Sequence, residues 1–272
     1  VMTAPEGPIG TPLDHDRRVA AQGERRARVG LLIGCVQQAI GPVINDATVR
    51  LLTRHGCEVV MLHEAYCCGA ITHHLGQEAP TLQRAKANVA AWEQELDGEG
   101  LDAIIANASG CGTMLKDYGF VLAGNPEWAV RGERIASLSR DVSEFLFELG
   151  VAPIEAPPGL RVAYQSACSL QHGQKVTRQP VSLLRQAGFT VVEPKEANLC
   201  CGSAGTYSLL QDEIAGQLRD RKLERLAATA PQVIASGNIG CITQLRGGAS
   251  VPVVHTVELL DWATGGPKPR GL

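Results

Sequence analysis

Two adjacent cysteines followed by glycine occur twice in this chain, as Tyr66-Cys67-Cys68-Gly69 and Leu199-Cys200-Cys201-Gly202. Each pair follows a lone cysteine by the same interval: Cys35 to Cys67 and Cys168 to Cys200 both span 32 positions. Each pair also precedes a Gly-Cys dipeptide, Gly110-Cys111 and Gly240-Cys241. Eight of the nine cysteines belong to this duplicated pattern. A duplication of about 130 residues is too long for a solenoid unit and predicts two similar lobes. For the cysteines of one half to act together, the fold has to bring three separated stretches of that half together.

An odd cysteine count with two vicinal pairs is poor material for a secreted disulfide framework. Reduced thiols in a cytoplasmic setting are the simpler expectation, available to a soft metal. No charged stripe or polybasic run points to nucleic acid or a membrane surface at a net charge of −3. No run of eighteen apolar residues suggests a membrane span, and the polar, Pro/Gly-rich N-terminus lacks an apolar signal region.

Short apolar runs alternate with helical patterns. Strands are predicted at Val29–Gly34, Glu58–His63 and Leu101–Ala106, with helices from Pro42, over 78–96, around Met114–Tyr118 and over Asp141–Leu149. A polar loop is predicted through Asn125-Pro126, without counterpart in the second half. The programme restarts with strands at Arg161–Ser166, Phe189–Val192, Val233–Ala235 and Val253–His255. Helices are predicted at Pro180–Ala187, Gln211–Ala228 and Val257–Ala263. In Gln211–Ala228 the apolar positions are Ile214, Leu218, Leu223 and Leu226. The expected fold is α/β: two pseudo-symmetric Rossmann-like lobes with mostly parallel sheets. The expected boundaries are a tail over 1–27, lobes over 28–152 and 160–265, and a second tail over 266–272. The first tail is punctuated by Pro5, Pro8 and Pro12 and is locally basic through Arg17, Arg18, Arg25, Arg26 and Arg28.

In such sheets functional residues gather at the carboxyl ends of strands. Cys35, Cys111, Cys168 and Cys241 each fall just past a predicted strand, so thiols distant in sequence can meet. Thiolates suit zinc, copper(I) and iron–sulfur clusters. The Cys-x₂₋₄-Cys knuckles of structural zinc sites and the Cys-x₂-Cys-x₂-Cys runs of ferredoxins are both absent. Four cysteines per half match the ligand count of one cubane cluster, and glycine after each pair permits unusual dihedrals. A single cysteine reads as a small buried hydrophobe, but eight in duplicated spacing outweigh that reading. Cys57 aligns with Phe189 in the repeat and reads as core. His172, four residues after Cys168, is the histidine best placed to influence a site; His63, His73 and His74 read as solvated. Gly202-Ser-Ala-Gly-Thr206 lacks the lysine and spacing of a phosphate loop. No nucleophile elbow or carboxylate pair stands out, so no catalytic residue is assigned.

Residues 29–262 resemble a tandem cysteine-rich "CCG" domain family, which includes the cysteine-rich subunit of heterodisulfide reductase. The resemblance is carried by the stretches 64–70, 106–112, 168–175, 199–207, 217–222 and 238–241, and is strongest to iron–sulfur subunits of bacterial glycolate oxidases. It implies an iron–sulfur electron-transfer subunit of a glycolate (2-hydroxy acid) oxidase complex. Electrons would pass from flavin-containing glycolate oxidase subunits toward a quinone or other acceptor, with FAD on the partner only. The implied ligands are Cys35, Cys67, Cys68 and Cys111 for one centre, and Cys168, Cys200, Cys201 and Cys241 for the other, with a 4Fe–4S cluster the expected type. The implied location is cytoplasmic, peripheral at the inner membrane through the complex. Two departures stand out. The ferredoxin-type module that those subunits carry at their N-terminus is not in this sequence. The family's further cysteine, three residues before the last ligand, is Ala108 in one half and Asn238 in the other. A lactate-utilisation protein made of CCG domains alone is the alternative reading, as is a docking subunit with zinc in one lobe.

Overall fold

A computed structural model describes residues 16–151 and 159–272. The punctuating prolines Pro5, Pro8 and Pro12, and Pro153, Pro157 and Pro158 of the central linker, lie outside these residues. The chain divides into two compact units near residue 145.

The first unit is built on a five-stranded sheet. Its strands are β1 (Arg17–Val19), β2 (Ala27–Leu32), β3 (Cys57–Met61), β4 (Ala103–Ala106) and β5 (Ser139–Asp141), in the order β1-β3-β2-β4-β5. All pairings are parallel except β1 on β3. The central strands are buried along their whole length, which is why they read as unbroken apolar runs rather than alternating ones. Leu32, Val60 and Ile104 pack on one face against Ala85, Val89 and Trp92 of the helix Glu78–Asp97. Gly30 leaves room for Trp92: a Cβ there would strike the indole ring. The helix Pro42–Arg54 packs beside β3.

The second unit repeats the core of this plan. Its strands are β6 (Arg161–Gln165), β7 (Thr190–Val192), β8 (Val233–Ser236) and β9 (Val253–His255), all parallel, in the order β7-β6-β8-β9. This matches β3-β2-β4-β5 strand for strand. The α/β class and the mostly parallel, duplicated sheets agree with the sequence reading.

Several details depart from it. The stretch read as a tail carries β1, and three of the arginines read as locally basic there are paired: Arg18 with Glu95, Arg25 with Glu58, and buried Arg28 with both. The stretch read as a loop at Asn125-Pro126 opens the helix Pro126–Leu138, with the Asn125 side chain accepting a hydrogen bond from Trp128 N. Asp141 closes the strand β5, and the helix starts at Val142. In the helix Asp212–Ala227 the buried positions are Ala215, Lys222 and Leu226, while Ile214 is exposed. The buried stripe is thus rotated from the one read off the apolar residues.

Candidate functional site

From β2 in the first unit and β6 in the second, the chain goes to a neighbour on one side and then crosses to the other side. The crevice where strand order reverses lies between the carboxyl ends of β2 and β4, and of β6 and β8. Loops diverge there, which makes it the usual ligand position of open α/β sheets. The cysteines are placed around these two points. Cys35 opens the helix Cys35–Ile40 just after β2, and Cys111 sits in the first turn of the helix Ser109–Lys116 after β4. Cys67 and Cys68 follow β3. In the second unit Cys168 precedes a π-helical turn, Ser169–Gly173, after β6, Cys200 and Cys201 follow β7, and Cys241 lies in the helix Ile239–Arg246 after β8.

The four thiols of the first unit meet as two pairs. Cys35 and Cys67 sulfurs are 3.3 Å apart, and Cys68 is hydrogen-bonded to Cys111. A Cβ at Gly34 would lie 3.8 Å from Cys111 Sγ, which brings the second pair to the Cys35 loop. The shared proton of the first pair draws the Cys67 thiol below its ordinary range. The same bond, then burial, pushes Cys35 up. Hydrogen bonding to Cys68, then burial, pushes Cys111 up as well.

The four thiols of the second unit form one chain of contacts. Cys200 is hydrogen-bonded to Cys168 and Cys201, and Cys201 to Cys241. These contacts hold the Cys200 and Cys241 thiols down and push Cys168 and Cys201 up. Two amides add to this: Gly202 N donates to Cys200 Sγ at 3.3 Å, and Asn238 Nδ2 to Cys241 Sγ at 3.6 Å.

The long helix that follows each Cys-Cys-Gly turn holds the turn itself in the first unit and the segment leading into it in the second. In the first unit buried Asn88 donates to Cys67 O at 2.7 Å and to Tyr118 Oη at 2.9 Å. Tyr118 donates in turn to Cys68 O at 2.9 Å. In the second unit Lys222 Nζ donates to Ala197 O at 2.8 Å, while Arg221 and Arg225 hold Glu196 at 2.6 and 2.9 Å. Lys222 is 0 % exposed. Burial pushes its pKa down, and Cys201, Cys241, Cys200 and Cys168 push it back up.

Among the described residues, no group of three or more Cys, His, Asp or Glu side chains is arranged to hold a metal ion. The thiols pair with one another instead, and ligation requires them to lose those protons. The donor chemistry nevertheless fits a thiolate-ligated cluster, with four soft sulfurs gathered in each unit. Lys222 supports the same fit. A buried ammonium costs several kcal/mol without a counter-charge, and its one hydrogen bond among the described residues goes to a carbonyl. Buried Arg28, by contrast, has Glu58 and Glu95. The groups that act on Lys222 to hold its charge are the four cysteines of its unit.

Cys57 sits at the amino end of β3, the edge away from the other sulfurs. It is fully buried, and burial pushes its thiol up to about 11. His172 is exposed on the turn after Cys168, and His73 and His74 are exposed with rings 6.0 Å apart. Asn88, Tyr118 and Lys222 were not singled out by sequence reasoning. For Lys222 a signal existed: it lies seven residues after Ala215 and four before Leu226, on one helical face with both.

The sequence profile of the cysteine-rich CCG domain matches residues 29–116 and again 162–246. The chain is 36% identical over 252 residues to the glycolate oxidase iron-sulfur subunit of Escherichia coli (strain K12), covering 93% of this chain and 59% of that protein. It is 33% identical over 274 residues to the probable glycolate oxidase iron-sulfur subunit of Bacillus subtilis (strain 168), covering 96% and 60%. It therefore spans about three-fifths of the length of these two relatives. Lactate utilization protein A of Shouchella clausii (strain KSM-K16) is 27% identical over 240 residues, 86% of this chain and 98% of that protein. The crystal structure of a hypothetical protein from Helicobacter pylori shares the fold at a TM-score of 0.65 and 9% identity, covering 90% of this chain and 50% of that one. With two matches to one domain, each enclosing a Cys-Cys-Gly turn and both cysteines that meet it, the chain belongs to the cysteine-rich CCG domain family.

Proposed function

We propose that this chain is the electron-transfer portion of a 2-hydroxy-acid oxidase, with one iron–sulfur centre in each unit. The observation that carries the reading is the gathering of four thiols at each sheet's switch point. Cys35, Cys67, Cys68 and Cys111 are the ligands of one centre, and Cys168, Cys200, Cys201 and Cys241 those of the other. When bound, a cluster of this kind accepts and passes on single electrons; 4Fe–4S is the type that four thiolates suit. The chain's own residues fix the thiol positions, shield them from water and set the local charge through Lys222, Asn238 and the turn amides. No residue is assigned to bond-making chemistry, so oxidation of the hydroxy acid belongs to a flavin-bearing partner, with a quinone or other carrier as acceptor.

The names and identities of the relatives support glycolate as the substrate of the complex. The near-complete coverage of lactate utilization protein A supports lactate as the second reading. Among the described residues no helix is long and apolar enough to cross a membrane. In the proposed complex the chain works in the cytoplasm and meets the inner membrane through its partners.

The test is Cys201→Ser in protein purified without oxygen. The expected result is loss of about half the iron, from the second unit only, with the first unit still folded by hydrogen exchange. Iron content equal to that of the unaltered protein would defeat the ligand assignment.

A further inference from the structure

The two thiol sites are not equivalent in charge. Thr81 O packs against the turn glycine Gly69, and Ala215 O against Gly202. Seven residues further along each helix stand Asn88 and Lys222, so the two occupy matching positions of the repeat. Both are 0 % exposed. One is a neutral amide; the other is an ammonium within electrostatic reach of all four sulfurs of its unit.

A second difference points the same way. Asn238 stands at the N-cap position of the helix Ile239–Arg246 and donates to Cys241 Sγ. The matching position before the helix Ser109–Lys116 is Ala108, which has no side-chain donor. The first unit does have a cation of its own, Arg84, which acts on Cys67. It is half-buried and stacks over the Tyr66 ring at 4.9 Å, so solvent screens it more than Lys222.

Reduction adds a negative charge. A buried cation and an N–H···S hydrogen bond both stabilise the reduced form and raise the potential. On the reading that each unit carries an iron–sulfur centre, we infer that the centre of the second unit has the higher potential, held up by Lys222 and Asn238, and is reduced first.

The experiment is a spectroscopically monitored redox titration of the full chain, after iron and sulfide have been counted. Cys201→Ser and Cys68→Ser assign each signal to a unit. The higher-potential signal should vanish in Cys201→Ser. It should move down in Lys222→Met by at least tenfold in the reduction constant, about 59 mV for one electron, and by less in Asn238→Ala. The reciprocal change, Ala108→Asn, should raise the other signal. If Lys222→Met fails to retain iron, Asn238→Ala and Ala108→Asn decide, and no movement in either overturns the inference. A higher-potential signal that survives Cys201→Ser, or stands still in an iron-replete Lys222→Met, also overturns it while leaving the proposed function intact. Iron absent from the unaltered protein would overturn both, and the count shows this before any titration.

Discussion

Gly69 and Gly202 have the same left-handed backbone, at φ 86° and 87°, yet they answer to different neighbours. A Cβ at Gly69 would meet Arg84 Cβ at an ordinary 3.5 Å. One at Gly202 would drive into the Ala215 carbonyl of the next helix. Gly69→Ala should therefore cost about 1 kcal/mol, the strain of a left-handed alanine. Gly202→Ala should cost about 3 kcal/mol or more, because backbone must also move. Denaturant unfolding checks this; equal losses would mean that the close approach to Ala215 relaxes freely. At this scale the sequence was legible where chemistry repeats. Paired spacing exposed eight cysteines, and alignment with Phe189 placed Cys57 in the core. Lys222 was hidden because a lysine in a charged helix reads as solvated, and only the rotated buried stripe shows otherwise.

Two helices of matching place in the repeat, Val142–Leu149 and Thr256–Ala263, are capped by different chemistry. His255 Nδ1 accepts from Val257 N at 3.1 Å, with Glu258 closing back on His255 N. In the first unit Asp141 accepts from Ser143 N at 2.8 Å, with Glu144 closing back on Asp141 N. Asp141 is buried, and burial, against the Ser143 hydrogen bonds, pushes its carboxyl up from 3.8 to about 6. The folded state then holds a proton that the unfolded chain has released. Its stabilising effect is complete below pH 4 and is lost as pH rises through about 6. That loss amounts to roughly 3 kcal/mol. Asp141→Asn should remove it, so the stability gap between variant and parent should change across pH 4 to 7. Parallel pH profiles would contradict the assignment. Elements were legible from apolar runs and turn glycines. The helix Pro126–Leu138 was not, although Asn125 followed by Pro126 is a cap and first-turn signal; its polar surroundings masked it. The edge strands β1 and β5, three residues each, are too short to show a pattern.

Across the whole chain, duplication explains why one plan serves twice. Each unit carries its own sheet, switch point and thiol set. Changes to one set should therefore leave the other intact, as the Cys201→Ser experiment requires. Mostly parallel sheets were expected, because alternating strands and helices call for right-handed crossovers; the strand order was not read from the sequence. The unequal electrostatics of the two sites were not, because they depend on which buried side chain faces each turn. The measurement that tests the central claim most directly is the iron, acid-labile sulfide and zinc content of the chain purified without oxygen. The account predicts about four iron and four sulfide per unit and no zinc. Zinc without sulfide, or no metal in either unit, would contradict it.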